Sequence, residues 1–220
     1  MNYLVFFLIT FTTATHITLA KDNMGVSTTH ITLTKDNMIA ITGEITKSSA
    51  VKFINNMRTI NNTTYIYINS PGGSVMDGHH IINYMNMLKS KNIRLICYAD
   101  MAASMAFVIL QACNERLGSP ASILMQHQMS IRTNMNLYNL NNYVKMVQDI
   151  NIYLDKFQAE RIGMNYNDFV NKITSDWWIS GVSAIEEKIL DNYAFIECDT
   201  ELYEDKSCPL LGGVIDVLDN

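Results

Sequence analysis

With 220 residues, 48% hydrophobic and 17% charged, the chain has the composition of one globular domain with a sizeable core, not of a disordered polymer. Its net charge of -5 leaves no electrostatic footprint for nucleic acid, and Lys91 and Arg94 are too few to form a basic patch. Cys97, Cys113, Cys198 and Cys208 are widely spaced and make no CxxC or Cys/His ligand pattern, so a zinc site is not expected. They read as reduced, structural cysteines, two of them in apolar runs where a free thiol behaves as a small hydrophobe.

In chain order, the first feature is the apolar run "LVFFLITF" at 4–11, too short to span a bilayer. It reads equally as the core of a signal segment, with a cleavage point after Ala20, or as an N-terminal extension, since residues 1–11 hold no lysine or arginine. No later run is long enough to cross a membrane, so a soluble domain is expected. "THITLAKDNM" at 15–24 then recurs as "THITLTKDNM" at 29–38. Two copies do not make a solenoid; a local duplication is the simpler reading, with only the second copy needed by the fold.

"TYIYINS" (64–70) is β-branched and aromatic and runs into "PGG", a strand meeting a turn. Val75, Ile82, Met85 and Leu88 follow at helical spacing. "IRLICYA" (93–99) is a second strand, leading into "DMAASMAFVILQ", a small-residue and apolar helix start that contains one hydroxyl, Ser104. "ASILMQH" (121–127) is a third strand, ending on His127. A long amphipathic helix carries Leu140, Val144, Val147, Leu154 and Phe157 on one stripe, and "YAFIEC" (193–198) is a late strand. Strands alternating with helices imply an α/β fold with a largely parallel sheet.

"SPGG", "AAS" and His127 all fall at strand ends, where the loops of parallel sheets converge on a site. Acyl transfer to a serine needs a base, a group that orients the base, and N–H donors for the oxyanion. Ser104 at a helix start has free first-turn amides beside it. Gly72 and Gly73 let backbone approach closely because no Cβ obstructs it. Taken singly these signals are weak. A serine at a helix start is more often a cap or packing residue, "PGG" is usually a turn, and a lone histidine or aspartate is usually structural.

Their order is specific. "YIYINSPGGSVMDG", "ICYADMAASMAFVIL", "ILMQHQ", "SDWWIS" and "EEKILD" together resemble the proteolytic subunit of the Clp protease family, from about Ile39 to Asp191. In that family the corresponding text is "INSPGG", "AASM", "MIHQ" and an aspartate before "FMSA". The resemblance implies a crotonase-like α/β fold of repeated β-β-α units with a protruding handle helix. It implies residues 29–200 as the catalytic domain, 1–28 as an extension or signal segment, and 201–220 as a C-terminal tail. It makes Ser104 the nucleophile, His127 the general base, Asp176 the orienting carboxylate, and the amides of Gly73 and Met105 the oxyanion hole. The function implied is a serine endopeptidase acting on unfolded polypeptides inside a homo-oligomeric ring, a heptamer or double heptamer. An ATP-dependent unfoldase would feed it, docking at Tyr65 and Tyr67, which read otherwise as ordinary strand residues. No metal or other cofactor is implied, and no Walker A motif occurs, so ATP use belongs to a partner. A cytoplasmic location follows from the family; the apolar run at 4–11 keeps export open.

Departures from the family pattern lie around this set. Residues 128–141 hold no proline or glycine where the family has "HQP" and a glycine-rich strand, which puts double-ring assembly in question. Trp177 and Trp178 are bulkier neighbours of Asp176 than usual. Three other readings stay open: a catalytically silent ring subunit, a signal-peptide-peptidase-type enzyme with Lys145 as base, and, more distantly, an acyl-CoA hydratase or isomerase of the crotonase type.

Overall fold

The computed structural model describes residues 17–19, 28–59 and 63–211. The apolar run at 4–11, the cleavage point after Ala20 and residues 212–220 lie outside the described residues. The strands are β1 (Ile17–Leu19), β2 (Thr28–Leu33), β3 (Met38–Thr42), β4 (Thr63–Ser70), β5 (Arg94–Ala103), β6 (Glu115–Gln126), β7 (Trp177–Ser180) and β8 (Asn192–Cys198). The helices are α1 (Lys47–Asn56), α2 (Val75–Ser90), α3 (Met105–Gln111), α4 (Leu137–Ile162), α5 (Tyr166–Lys172), α6 (Gly181–Glu186) and α7 (Thr200–Glu204).

The sheet runs β1-β2-β8-β6-β5-β4-β3, with β7 attached to β6. It is parallel except for the β1–β2 and β6–β7 pairs. This is the expected α/β class with a mostly parallel sheet, consistent with a crotonase-like fold.

Strand alternation sorts side chains onto two cores. On β4, Ile66 and Ile68 join the larger core with α1, α2 and α3, while Tyr67 joins a smaller core with Ile96, Tyr98 and Leu117. Each fully buried Ile, Leu or Phe contributes roughly 1.5–3 kcal/mol relative to an exposed one. The larger core, which holds Phe107, Phe169 and Met85, therefore carries the fold.

Both copies of the repeat enter the sheet. Ile17–Leu19 of the first pair antiparallel with the second, Ile17 opposite His30, so part of the first copy also joins the sheet. The C-terminal stretch is tied down as far as residue 211: Leu202 and Cys208 are buried in the smaller core, and Cys208 is bonded to Cys198.

All four cysteines are paired, Cys97 with Cys113 and Cys198 with Cys208, contrary to the expectation of free thiols. The pairing is set by return paths that spacing does not show. The chain leaving α3 comes back alongside β5, where Asn114 donates its backbone N–H to the Leu95 carbonyl, and the Cys97 and Cys113 Cα atoms stand 5.9 Å apart. Cross-links closing loops of 16 and 10 residues each stabilise by about 3 kcal/mol on the chain-entropy account. The double replacement Cys198→Ser with Cys208→Ser is expected to lower the urea-unfolding free energy by about 2–3 kcal/mol. It should leave the segment after residue 198 more open to proteolysis; an unchanged midpoint would contradict this.

The handle is longer than its sequence stripe. Only its second half packs on the core, through Leu154, Ala159 and Ile162, while the first half projects and Tyr138 is 84% exposed. Asp155 lies on the packed half, 6% exposed, and accepts a hydrogen bond from Asn151 Nδ2 at 2.7 Å. Burial pushes its carboxyl up from 3.8 to about 6, the Asn151 hydrogen bond opposing in part. A raised folded-state value means that the native state favours the protonated acid. The associated stability is present below pH ~4 and lost as pH rises through about 6. Asp155→Asn is therefore expected to raise stability by about 1–3 kcal/mol at pH 8 and to change it little at pH 4. Thermal melts at the two pH values check it; an equal effect at both would refute it.

Candidate active site

Ser104 sits between β5 and α3 with φ 54° and ψ -122°, a region that a residue with a Cβ adopts only under constraint. Its backbone N–H donates to the Met125 carbonyl at 2.9 Å, and its carbonyl accepts from the Phe107 and Val108 amides. The turn is thus clamped to β6 on one side and to the first turn of α3 on the other. At the N-cap position its side chain makes no capping bond. The hydroxyl instead lies 2.9 Å from His127 Nε2, in hydrogen-bond contact. That contact decides against the capping reading of this serine.

His127 follows β6, whose path is bent to deliver it. The β5–β6 register jumps from Ala99 opposite Gly118 to Met101 opposite Ile123, so residues 119–121 bulge out. Ser122 Oγ fills the gap by donating to the Ala99 carbonyl at 2.6 Å and accepting from the Ser119 N–H at 2.8 Å. Bulges of this kind re-aim a strand. The strand expected at 121–127 is the second half of a longer one. The "ERLGSP" stretch forms its first half and pairs with β5, with Arg116 buried against Asp191. Arg116 Nη2 meets Asp191 Oδ1 at 2.5 Å, and Nε meets Oδ2 at 3.0 Å. Burial alone would push the Asp191 carboxyl up; the Arg116 hydrogen bonds and charge outweigh it and hold the group below its usual range.

Gly72 and Gly73, with φ of 93° and 144°, bring the "PGG" turn against Ser104. A Cβ on Gly72 would stand 2.8 Å from Ser104 Cβ and 2.9 Å from the Met105 N. The Gly72 N–H is already taken, donating to Ser70 Oγ at 3.1 Å. Among the described residues the Gly73 and Met105 amides have no hydrogen-bond partner, the second because a helix's first N–H has none within the helix. Two unpaired donors therefore flank the hydroxyl.

Asp176 is brought near but not bonded. The β6–β7 ladder ends at Gln126 opposite Trp177, and the Gln128 N–H donates to the Ile173 carbonyl at 3.1 Å. Those two contacts bracket His127 and set Asp176 across from it. The Asp176 carboxylate is exposed and makes no hydrogen bond to His127 among the described residues. Trp177 turns inward between Phe107 and Phe169, under the Lys172 ammonium at 4.5 Å, while Trp178 is exposed. The bulky pair thus anchors the strand that begins directly after Asp176.

Tyr67 is 2% exposed, stacked on Tyr98, with its hydroxyl donating to Asp100 Oδ2 at 3.1 Å; Tyr65 is half-buried. Burial, then the Asp100 charge, pushes the Tyr67 phenol far up. Lys145 is exposed on the projecting half of α4, without the contact to Ser104 that His127 makes. Residues 127–136 form no strand. Sequence reasoning missed the buried amides of Gln126 and Gln158 behind His127; the one signal was a polar residue in the buried register of β6.

The Clp protease family profile matches residues 21–195. The chain belongs to the Clp protease family. Among similar curated proteins, the "ATP-dependent Clp protease proteolytic subunit" of Chlorella vulgaris is 32% identical over 136 residues, 61% of this chain and 67% of that protein. The subunit 1 of Shouchella clausii (strain KSM-K16) is 31% identical over 129 residues, covering 58% of this chain and 66% of its own. The subunit 2 of Prochlorococcus marinus (strain NATL2A) is 32% identical over 130 residues, covering 58% and 64%. This Clp-family chain thus matches about two thirds of the length of these relatives. No helix among the described residues is long and apolar enough to cross a membrane.

Proposed function

We propose that the chain is a serine endopeptidase in which Ser104 attacks the peptide carbonyl and His127 takes its proton. The observation that carries the reading is the 2.9 Å contact between the Ser104 hydroxyl and His127 Nε2 at a strained turn. With the ring proton on Nδ1, Nε2 accepts from the hydroxyl and becomes imidazolium as the tetrahedral intermediate forms. The Gly73 and Met105 amides hold the oxyanion, one such donor being worth about 2.7–4 kcal/mol. His127 then protonates the leaving amine, and water releases the acyl group. Asp176 serves as the orienting carboxylate by turning toward Nδ1 when substrate orders the site. This chemistry calls for no cofactor.

The relatives' names support a proteolytic subunit of an ATP-dependent protease. On this reading the chain degrades unfolded polypeptide inside an oligomeric chamber, fed by an ATP-dependent partner. Ring assembly is further supported by the projecting half of α4, whose Leu137 and Tyr138 are left exposed by the described residues. Docking of an unfoldase rests on Tyr65 more than on buried Tyr67. For location, the paired cysteines favour an oxidising compartment over a reducing cytoplasm. One observation favours a catalytically silent subunit instead: the exposed, unbonded Asp176 carboxylate. A fluorophosphonate probe separates the two. Covalent attachment at Ser104, lost in Ser104→Ala, supports the peptidase; no attachment to the assembled protein supports the silent subunit.

A further inference from the structure

We infer that Gln126 and Gln158 form a buried amide relay that positions His127, so that the base is held from α4 as well as from the sheet. The inference rests on the peptidase reading above. Gln126 is 4% exposed and Gln158 1%. The His127 backbone N–H donates to Gln126 Oε1 at 3.0 Å, Gln126 Nε2 donates to Gln158 Oε1, and Gln158 Nε2 donates to the Leu154 carbonyl at 3.0 Å.

The direction of this chain is forced at both ends. A backbone N–H can only donate and a backbone carbonyl can only accept. Gln126 must therefore present its oxygen to His127, its nitrogen must face Gln158, and Gln158 must in turn donate to Leu154. Neither amide can flip without setting two donors or two acceptors against each other in a buried site, at the cost of an unsatisfied polar group.

The relay also answers a local need. β6 ends at Gln126, so the His127 N–H lies beyond the last ladder pair. The preceding side chain supplies the missing acceptor. The Asp176 carboxylate makes no bond to the ring, so the position of Nε2 against Ser104 depends on where the His127 backbone is held. Two buried amides are a poor source of stability, since an apolar pair of similar volume would pack at least as well. What they add is direction.

The test uses Gln158→Met, Gln126→Met, the double variant and Gln126→Glu in the full chain. Methionine keeps volume and helix propensity and removes the amide. Each Met variant is expected to lower kcat and the fluorophosphonate labelling rate of Ser104 by about 10–100-fold with KM nearly unchanged. The double variant leaves the His127 N–H without its acceptor and should unfold at a lower urea midpoint than wild type, so labelling is compared in buffer where urea curves show every variant fully folded, which separates positioning from stability. In Gln126→Glu the protonated acid reproduces one acceptor and one donor, whereas the carboxylate cannot donate to Gln158. The pH profile of that variant should therefore lose activity on its alkaline side relative to the wild-type profile measured alongside. Wild-type labelling rates in both Met variants, or an unchanged profile in Gln126→Glu, would overturn the relay while leaving the peptidase reading intact. If wild type itself is not labelled, the peptidase reading falls and the relay is judged by the His127 ring resonances. A shift toward the free-histidine position in Gln158→Met supports it, and unchanged resonances overturn it.

Discussion

Ser104→Ala is expected to abolish peptide hydrolysis, lowering kcat by roughly 10⁴–10⁶-fold, while leaving the fold within about 0.5 kcal/mol of wild type. The dissociation of the two effects follows from the contacts. The Ser104 side chain caps nothing; its one polar contact is with His127, and the backbone bonds that clamp the turn to β6 and α3 do not involve the hydroxyl. Alanine keeps the Cβ and so keeps the same positive φ. The loss is then that of the nucleophile alone, and the turnover that remains is what the unpaired amides of Gly73 and Met105 can sustain with bound water. Peptide hydrolysis and thermal melts on the same preparation check it. Activity within tenfold of wild type would remove Ser104 from the chemistry, and a large fall in melting temperature would return it to the structural role that a serine at a helix start usually has.

The parts of the fold that could be read in advance are those where one local rule decides. "TYIYINS" is β-branched, alternates, and meets Pro71, and it forms β4 within a residue of its expected limits. The helical spacing from Val75 to Leu88 becomes α2. Ser104 and His127 stand out in the sequence because each lies where an element of high propensity ends, and their side chains lie 2.9 Å apart. What was not legible depended on partners distant in the chain. "ERLGSP" lies outside the strand expected at 121–127 yet forms the first half of β6, where the buried Arg116 pairs with Asp191, 75 residues on. The cysteine pairs are fixed by how β5 and the α3 return lie together. The first half of the handle and the first copy of the repeat are the reverse case: the pattern is visible, but what covers or pairs with it is a matter of tertiary placement. Asp176 shows the limit most clearly: its position in the sequence names an orienting role, while its exposed carboxylate makes no hydrogen bond to His127 among the described residues.

Gly72→Ala is expected to cost at least about 4 kcal/mol of stability and to reduce Ser104 labelling more than about 10³-fold where the chain still folds. Gly72 has φ 93°, and an added Cβ would lie 2.5 Å from the Ala103 carbonyl oxygen, 2.8 Å from Ser104 Cβ and 2.9 Å from the Met105 N. Two of those three atoms are backbone and the third is a Cβ, so no flexible side-chain end can move aside. Relief has to come from separating the "PGG" turn from the start of α3, which pulls the Gly73 and Met105 amides apart. The control is Gly43→Ala. Gly43 also has a positive φ, 69°, but a Cβ there meets nothing within 4 Å. Its cost should be the backbone penalty alone, about 1–2 kcal/mol, with labelling unchanged. Urea midpoints and probe kinetics on the two variants separate conformational strain from steric closure of the site. If Gly72→Ala behaves like Gly43→Ala in both measurements, the turn does not press on Ser104, and the case for its amide as an oxyanion donor goes with it.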